Sequence, residues 1–150
     1  MSASYHEAMR IALDQARRSG DDVPVGAVVL DESGTVISSA CNQREAAGDP
    51  TAHAEVLALR AAAAARGSWR LDGCTVVVTL EPCPMCAGAI SLARLDRVVF
   101  GAWNDEYGAV GSMWDLLRDR RLSHRPEVIA GVLAEEASSL VRAFFDARRE

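Results

Sequence analysis

The sequence predicts an α/β fold in which helices pack on both faces of one sheet. Apolar runs rich in β-branched residues at 74–80, 97–102 and 127–133 have the composition of strands. Segments with the helical spacing of apolar residues follow the first and the last of these runs, and such alternation is typical of α/β proteins. No repeat or low-complexity linker interrupts the 150 residues. A single domain over 1–150 is therefore expected.

The first part of the chain is predicted to form a helix followed by a hairpin. Ser4 and Glu7 have the spacing of a capping box, and apolar residues then recur at helical spacing up to a stop near Gly20. Two apolar runs at 25–30 and 35–40 flank the turn-forming DESG. These runs are predicted to pair as a β-hairpin.

Three further helices are predicted, over residues 49–67, 84–95 and 134–149. Thr51 is the predicted N-cap of the first of them and Gly67 its stop, so its first turn lies close to His53. Pro84 suits the first position of the second helix, because it lacks the N–H that a helix leaves unpaired there.

The charge of the chain restricts its partners. The formal net charge is −5 at pH 7, which argues against loose, non-specific binding of nucleic acid. All 16 basic residues are arginine, which excludes a Schiff-base lysine and the lysine of a P-loop. The basic stretches RDRRLSHR (118–125) and ARRE (147–150) are either solvated charged faces or a local phosphate-binding patch.

Cysteine usage and hydropathy predict a cytoplasmic protein with no membrane partner. No apolar run approaches the ~18 residues that a membrane span requires. The N-terminal MSASYHEAMR lacks the pattern of a secretory signal. Without an export signal, the four cysteines indicate a reducing compartment. A close cysteine pair there is more often catalytic or metal-binding than a disulfide.

Cys83 and Cys86, in the stretch TLEPCPMCAG, are the first candidates for chemistry. The pair alone is consistent with a redox dithiol, half of a closed structural zinc site, or part of a catalytic metal centre. A closed structural site needs four Cys or His ligands. Cys41 and Cys74 fall in predicted strands, where a free cysteine is ordinarily a small core residue.

His53 and Glu55 supply the pattern of an open metal site. At a first helical turn that is entered from a loop, two such side chains can converge on one point. The spacing of Cys83 and Cys86 places both sulfurs on one face of a helix N-terminus, where thiolate is favoured. His53 would then complete three protein ligands, the set typical of a catalytic zinc. Glu55, which is not a ligand, becomes the candidate for moving protons.

These residues resemble the signature of zinc-dependent nucleobase deaminases, H-x-E…P-C-x-x-C. HAE (53–55) and PCPMC (82–86) match it in order. Further segments that are similar to bacterial tRNA adenosine deaminases cover most of the chain: VPVGAVV (23–29), CNQR (41–44), DPTAHAEVLALR (49–60), TLEPCPMCAGAI (79–90), RVVFGA (97–102), GAVGS (108–112), SHRPEV (123–128) and FFDARR (144–149).

The resemblance implies a three-layer α/β/α cytidine deaminase-like fold with a central, mixed five-stranded sheet. It also implies a homodimer with one Zn²⁺ per subunit, and the anticodon stem-loop of a tRNA as partner. The implied reaction is hydrolytic deamination of adenosine to inosine at the wobble position of an arginine tRNA. Glu55 would move the protons in that reaction.

The resemblance also suggests which residues contact the substrate. Asn42 and the backbone N–H of Ala54 are implied as contacts of the base. The suggested RNA contacts are Asn104, Phe144, Phe145 and Arg148, with Arg120 and Arg121 as further candidates. Asn104 departs from the family pattern, which often has Asp there. Asn keeps the acceptor but adds a donor and removes a charge, which bears on how strictly RNA is told from DNA.

Two other functions remain open. A deaminase of a free base or nucleotide, such as guanine or cytosine, would use the same fold and would need no RNA surface. A non-enzymatic, zinc-stabilised binding module is the second alternative. Glu55 argues against this second alternative, because a purely structural zinc site does not need an acidic residue that is not a ligand.

Overall fold

The computed structural model describes residues 2–149, with side-chain surroundings from residue 5 onward. The helices are α1 (Ser2–Ala16), α2 (Arg44–Ala47), α3 (Ala54–Arg66), α4 (Pro84–Leu92) and α5 (Ala134–Arg148). The strands are β1 (Gly26–Leu30), β2 (Val36–Cys41), β3 (Thr75–Leu80), β4 (Arg97–Ala102) and β5 (Glu127–Ile129), and a 3₁₀ turn spans Leu116–Arg118. Among residues 2–149, no helix has the length and apolar content needed to cross a membrane.

The strands form one mixed sheet in the order β2-β1-β3-β4-β5. The hairpin partners β1 and β2 are antiparallel, and β1 also runs antiparallel to β3. The other two pairs, β3 with β4 and β4 with β5, are parallel. The predicted hairpin and the five-stranded mixed sheet are thus confirmed.

Both faces of the sheet are covered by helices, as predicted. Alternate residues of β3 point to opposite faces, as the period of two requires. Val76 and Val78 pack in a cluster with α3 and α4, whereas Val77 packs in a second cluster with α1 and α5. All three valines are fully buried, and each such burial stabilises the fold by about 1.5–3 kcal/mol.

The contact between α1 and β1 is unusually close. A Cβ at Gly26 would lie 1.9 Å from the carbonyl oxygen of Ala12, so only glycine allows the helix to cross the strand there. The N–H of Gly26 donates to the hydroxyl of Thr79 in β3 at 3.1 Å. The start of β1 is therefore fixed from both sides.

Two of the predicted helix starts are wrong. The first helix begins at Ser2, so Ser4 lies within its first turn rather than at a cap. The N-cap of α3 is His53, and not Thr51. Thr51 instead turns its N–H and its hydroxyl to the same carboxylate oxygen of Asp49, both at 2.8 Å, because a short polar side chain competes well for local partners in a loop.

Several ends also differ from the prediction. The helix α4 stops at Leu92, before the left-handed backbone of Arg94 (φ +65°). The predicted strand 127–133 is shortened to Glu127–Ile129, since the chain turns at Gly131 with φ +82°. The short α2 and the 3₁₀ turn had no counterpart in the prediction.

Candidate metal centre and active-site pocket

Two helix N-termini bring the three predicted metal ligands together. His53 is the N-cap of α3 and Cys83 is the N-cap of α4, with Cys86 in the first turn of α4. Neither cap residue uses its side chain to cap its helix, so both side chains are free to turn towards a common point. The Nδ1 atom of His53 lies 3.7 Å from Sγ of Cys83 and 3.5 Å from Sγ of Cys86.

The donor set fits zinc. A tetrahedral zinc with Zn–S near 2.3 Å and Zn–N near 2.0–2.1 Å separates nitrogen from sulfur by about 3.5 Å, which matches both observed distances. All three ligand atoms lie within 4.8 Å of one another. Among residues 2–149, His53, Cys83 and Cys86 form the one group of side chains placed to bind a metal ion together. Cys41 and Cys74 are buried core residues, as predicted.

The two thiols differ in their affinity for protons. A hydrogen bond from the Cys86 thiol, together with one from His53, lowers the pKa of Cys83 to about 4. The same contact with Cys83, and burial, raise the pKa of Cys86. The hydrogen bond to Cys83 raises the pKa of His53. These contacts favour the thiolate at Cys83, and a bound cation would favour a second thiolate at Cys86.

Glu55 lies beside this cluster at the first turn of α3. Its side chain is 4% exposed and it lines the pocket described below. Burial raises the pKa of Glu55 to about 7. A carboxyl group with such a pKa can both hold and release a proton near neutral pH, which is what general acid–base catalysis requires.

Asn42 connects the end of β2 to the start of α3. Its Oδ1 accepts the N–H of Ala54 at 2.8 Å, and its Nδ2 donates to the carbonyl of Val23 at 3.0 Å. The amide of Asn42 retains one acceptor site and one donor hydrogen, and it lines the pocket. Ala54 is fully buried with its N–H already donated. Contacts of either residue with a base stay predictions.

Glu81, directly before the Pro-Cys of the motif, is a site residue that the sequence analysis missed. It is 1% exposed, and its carboxylate accepts hydrogen bonds from one loop, 103–112. The donors are the N–H groups of Asn104, Val110 and Ser112, at 3.0, 3.0 and 2.9 Å, and the Ser112 hydroxyl. The only signal in the sequence is an acidic residue at the end of a buried strand.

An open pocket of about 1130 Å³ lies over the cluster. His53, Glu55 and Cys83 line it. One wall is the loop after β4, and a second wall is one face of α5. The residues of these two walls are Trp103, Asn104, Asp105, Glu106, Tyr107 and Trp114, and Val141, Arg142, Phe145, Asp146 and Arg149.

Only some of the residues suggested as RNA contacts line the pocket. Asn104 and Phe145 line the pocket, whereas Phe144 and Arg148 lie outside its lining. The ring of Phe144 meets that of Phe145 edge to face at 5.2 Å, and the guanidinium of Arg148 covers Phe144 at 3.5 Å from the ring centroid. Arg149 lines the pocket instead, because it follows Phe145 by one helical turn.

Arg120 and Arg121 do not line the pocket. Both are exposed, and Arg121 is paired with Asp119 at 2.6 Å. That guanidinium keeps the pKa of the Asp119 carboxyl well below its usual range. The basic stretch that contains these residues is therefore partly neutralised by its own acidic residue.

Sequence comparison relates the chain to deaminases. Residues 2–102 match the family described as the cytidine and deoxycytidylate deaminase zinc-binding region. The tRNA-specific adenosine deaminase of Bacillus subtilis (strain 168) is 45% identical over 139 residues, which cover 91% of this chain and 86% of that protein.

Structure comparison agrees. A structure from a study of A-to-I editing by tRNA:A34 deaminases at the wobble position of transfer RNA has a TM-score of 0.85 and 40% identity, covering 89% of this chain and 98% of the other. The guanine deaminase from Nitrosomonas europaea has a TM-score of 0.77 and 29% identity, covering 93% and 83%. The chain therefore belongs to the cytidine and deoxycytidylate deaminase family and, within it, to the family of the tRNA-specific adenosine deaminases.

Proposed function

We propose that the protein converts adenosine to inosine at the wobble position of an arginine tRNA, with release of ammonia. One observation carries this proposal. His53, Cys83 and Cys86 surround one point beside the buried Glu55, in a pocket of a chain that is 45% identical to a tRNA-specific adenosine deaminase. The whole of 1–150 would act as one domain, in the cytoplasm, where its tRNA substrate is found.

His53, Cys83 and Cys86 would hold one Zn²⁺ per subunit, and the chemistry of such an ion is to lower the pKa of water to about 7. Glu55 carries the protons of the reaction. It takes one from the attacking water and delivers it to the ring nitrogen of the base. It then takes the proton of the new hydroxyl on C6 and delivers it to the exocyclic amino group, which leaves as ammonia while the C6 carbonyl of inosine forms. General acid–base catalysis of this kind contributes about 10²–10⁴-fold in rate.

Asn42 orients the base. The one acceptor site and one donor hydrogen that its amide keeps free can pair with the edge of a purine. The hydrogen bond to Ala54 holds this amide in place beside Glu55. For the Ala54 N–H to contact the base directly, as the resemblance implies, the base would have to replace the Oδ1 of Asn42.

The RNA would reach the site as an unpaired loop. Extruding a base costs a few kcal/mol, and least where it is already single-stranded. The pocket is open to solvent and has Asn104 on one wall and Phe145 on the other. Phe144 packs against Phe145, and Arg148 covers Phe144, so we assign both residues an indirect part in RNA binding.

The direct test is to incubate the purified protein with an arginine tRNA transcript and to measure inosine at the wobble position. We expect inosine with the wild type and none with Glu55→Gln, which preserves the shape of the side chain but cannot exchange protons. Bound zinc should be equal in the two proteins. A Glu55→Gln variant with wild-type activity would refute the mechanism.

A free-base deaminase is the second candidate, because a guanine deaminase shares the fold at a TM-score of 0.77. The same preparation should be offered free guanine and free cytosine. Ammonia released from either of them, with no inosine in the transcript, would replace the proposed function by this one.

We also propose that the protein is a homodimer. An apolar groove between α3 and α4 leaves Trp69 and Leu92 exposed, and an exposed apolar groove is typical of an interface. Sedimentation equilibrium should give twice the chain mass for the wild type. Leu92→Glu places a charge in the groove and should shift the protein to monomers, whereas Ile11→Glu on α1 should not.

A further inference from the structure

We propose that Trp103, Tyr107 and Trp114 form a stacking platform for the bases that flank the target nucleotide in single-stranded RNA. This inference rests on the proposed function and adds how the neighbouring nucleotides are held. None of these three residues belongs to the metal cluster or to the residues suggested by the sequence.

The first argument is where the aromatic residues lie. The chain has only eight, and four of them line this pocket: Trp103, Tyr107, Trp114 and Phe145. Their exposed fractions are 50%, 62%, 44% and 45%. Because an aromatic side chain gains much by burial, a concentration of exposed rings around a pocket indicates a ligand that covers them.

The second argument is that the ring of Trp103 is held in position before any ligand binds. Trp103 meets the buried Phe100 edge to face, with ring centroids 4.9 Å apart. The backbone of Gly111 lies under the same indole, and a Cβ there would be 3.0 Å from the ring. The N–H of Tyr107 donates to Oδ1 of Asn104 at 3.1 Å. A fixed ring loses little conformational entropy when a base stacks on it.

The third argument is the distribution of charge across the pocket. The wall that carries the platform also carries Asp105 and Glu106, which repel phosphates. The α5 wall carries two cations, Arg142 and Arg149, against one acid, Asp146, so its net charge attracts phosphates. A strand in the pocket would therefore turn its bases to the platform and its phosphates to α5.

These features select single-stranded nucleic acid as the ligand. In a duplex the faces of the bases are already stacked on one another, so they are not available to a side chain. Stacking on an aromatic side chain is also tolerant of sequence, because every base has a π-face. The platform should therefore strengthen binding without specifying which bases flank the target.

The test is a double-mutant cycle between the protein and the RNA. The substrates are an anticodon stem-loop RNA and two versions of it in which the nucleotide on one side of the target, or on the other, is abasic. The proteins are the wild type, Trp103→Ala, Tyr107→Ala and Trp114→Ala, and kcat/KM for inosine formation is measured for each pair. The removal of one stacked base should lower kcat/KM of the wild type by about 5- to 150-fold.

We expect Trp103→Ala to lose a similar factor on the intact RNA and to be insensitive to at least one abasic site. If the abasic penalties are the same in the wild type and in all three alanine variants, the platform does not exist. Partial unfolding of a variant affects all three RNAs equally and cancels in the comparison. Trp103→Phe keeps a stacking ring and should restore most of the activity and the sensitivity to the abasic site.

The same cycle measured as Kd, in a Glu55→Ala background, separates this inference from the proposed function. If the wild type forms no inosine, but the effects of the alanine substitution and of the abasic site on Kd are not additive, the proposed reaction is refuted and the platform is supported. If inosine forms, but the two effects on the free energy of binding are additive, the reaction is supported and the platform is refuted.

Discussion

The carboxylate of Glu81 holds the loop 103–112 in place by accepting hydrogen bonds from its backbone N–H groups. Buried donors that lose their acceptor cost about 1–3 kcal/mol each. We therefore expect Glu81→Ala to lower the free energy of unfolding by at least about 2 kcal/mol, as measured by urea denaturation. The exposed Asp105→Ala in the same loop is the matched control and should change it by less than about 0.5 kcal/mol. Equal stabilities of the two variants would show that Glu81 does not hold the loop.

Glu55 gives a prediction about pH for the protein stripped of metal. Burial raises the pKa of Glu55 to about 7 from the ordinary 4.5. Below pH 4.5 the carboxyl is protonated in the folded and the unfolded chain, so it causes no penalty. Between about pH 4.5 and 7 the unfolded chain ionises while the folded chain keeps the proton, so about 3 kcal/mol of stability is lost progressively across this window and no more is lost above it.

Glu55→Gln has no such ionisation. In the presence of a chelator, this variant should be more stable than the wild type at pH 8 by up to about 3 kcal/mol, and equally stable at pH 4. Urea unfolding at a series of pH values would measure this. A constant difference across that range would contradict it.

The residues of the site differ in how far the sequence reveals them. His53, Glu55, Cys83 and Cys86 are readable because short spacings at two helix starts bring their side chains to one point. Glu81 cannot be identified in this way, because its hydrogen-bond partners lie 23 to 31 residues further along the chain, where no spacing rule applies.

At the scale of elements, helical periodicity decides which cations of α5 face the pocket. Arg149 shares a face with Phe145, and Arg148 covers Phe144 on the neighbouring face. If Arg149 pairs with a phosphate, Arg149→Gln should weaken binding of the stem-loop RNA and reduce the slope of log Kd against log salt by about 1.

Arg148→Gln is the matched variant. If Arg148 acts on RNA only through the ring of Phe144, its loss should weaken binding without changing the salt slope. Fluorescence anisotropy between 50 and 200 mM salt would measure both slopes. A larger change of slope for Arg148→Gln would reverse the assignment.

Helix ends show where local rules succeed and where they fail. Gly67 was predicted as the stop of α3, and it has φ +67° with no atom within 4 Å of the position that a Cβ would take. Arg94 ends α4 in the same left-handed conformation (φ +65°), although no sequence rule expects arginine there. The turn after α4 is imposed by the tertiary fold: the N–H of Leu71 donates to the carbonyl of Ala93 at 2.7 Å.

These two ends predict opposite effects of substitution. Gly67→Ala should lower the free energy of unfolding by about 1 kcal/mol, since the added methyl disfavours a positive φ and meets no other atom. Arg94→Gly should raise it by up to about 1 kcal/mol, because glycine adopts the observed conformation without strain. Thermal unfolding of the two variants would measure both effects, and changes of the same sign would contradict this account.

For the whole molecule, the three candidate metal ligands join two parts of the chain that are distant in sequence. His53 belongs to the segment after β2, and the two cysteines belong to the segment after β3. A ligand that binds only the folded state stabilises it by about 2.7 kcal/mol at 100 times its Kd. Removal of zinc should therefore lower Tm, and added zinc should restore it.

Cys86→Ser should show little of this response to zinc, whereas the remote Cys74→Ala should retain it in full. Differential scanning fluorimetry with and without zinc would measure the responses. An equal response in Cys86→Ser would place the metal elsewhere.

The way in which the loop 103–112 is held bears on how this site could evolve. Glu81 binds that loop through the backbone N–H groups of Asn104 and Val110, and most of the loop's side chains that line the pocket take no part in the anchoring. Residues at positions such as 105 and 107 can consequently change while the loop keeps its course. Because one buried carboxylate maintains the loop conformation, the side chains that determine the substrate can change independently of it. New specificities therefore become accessible by single substitutions.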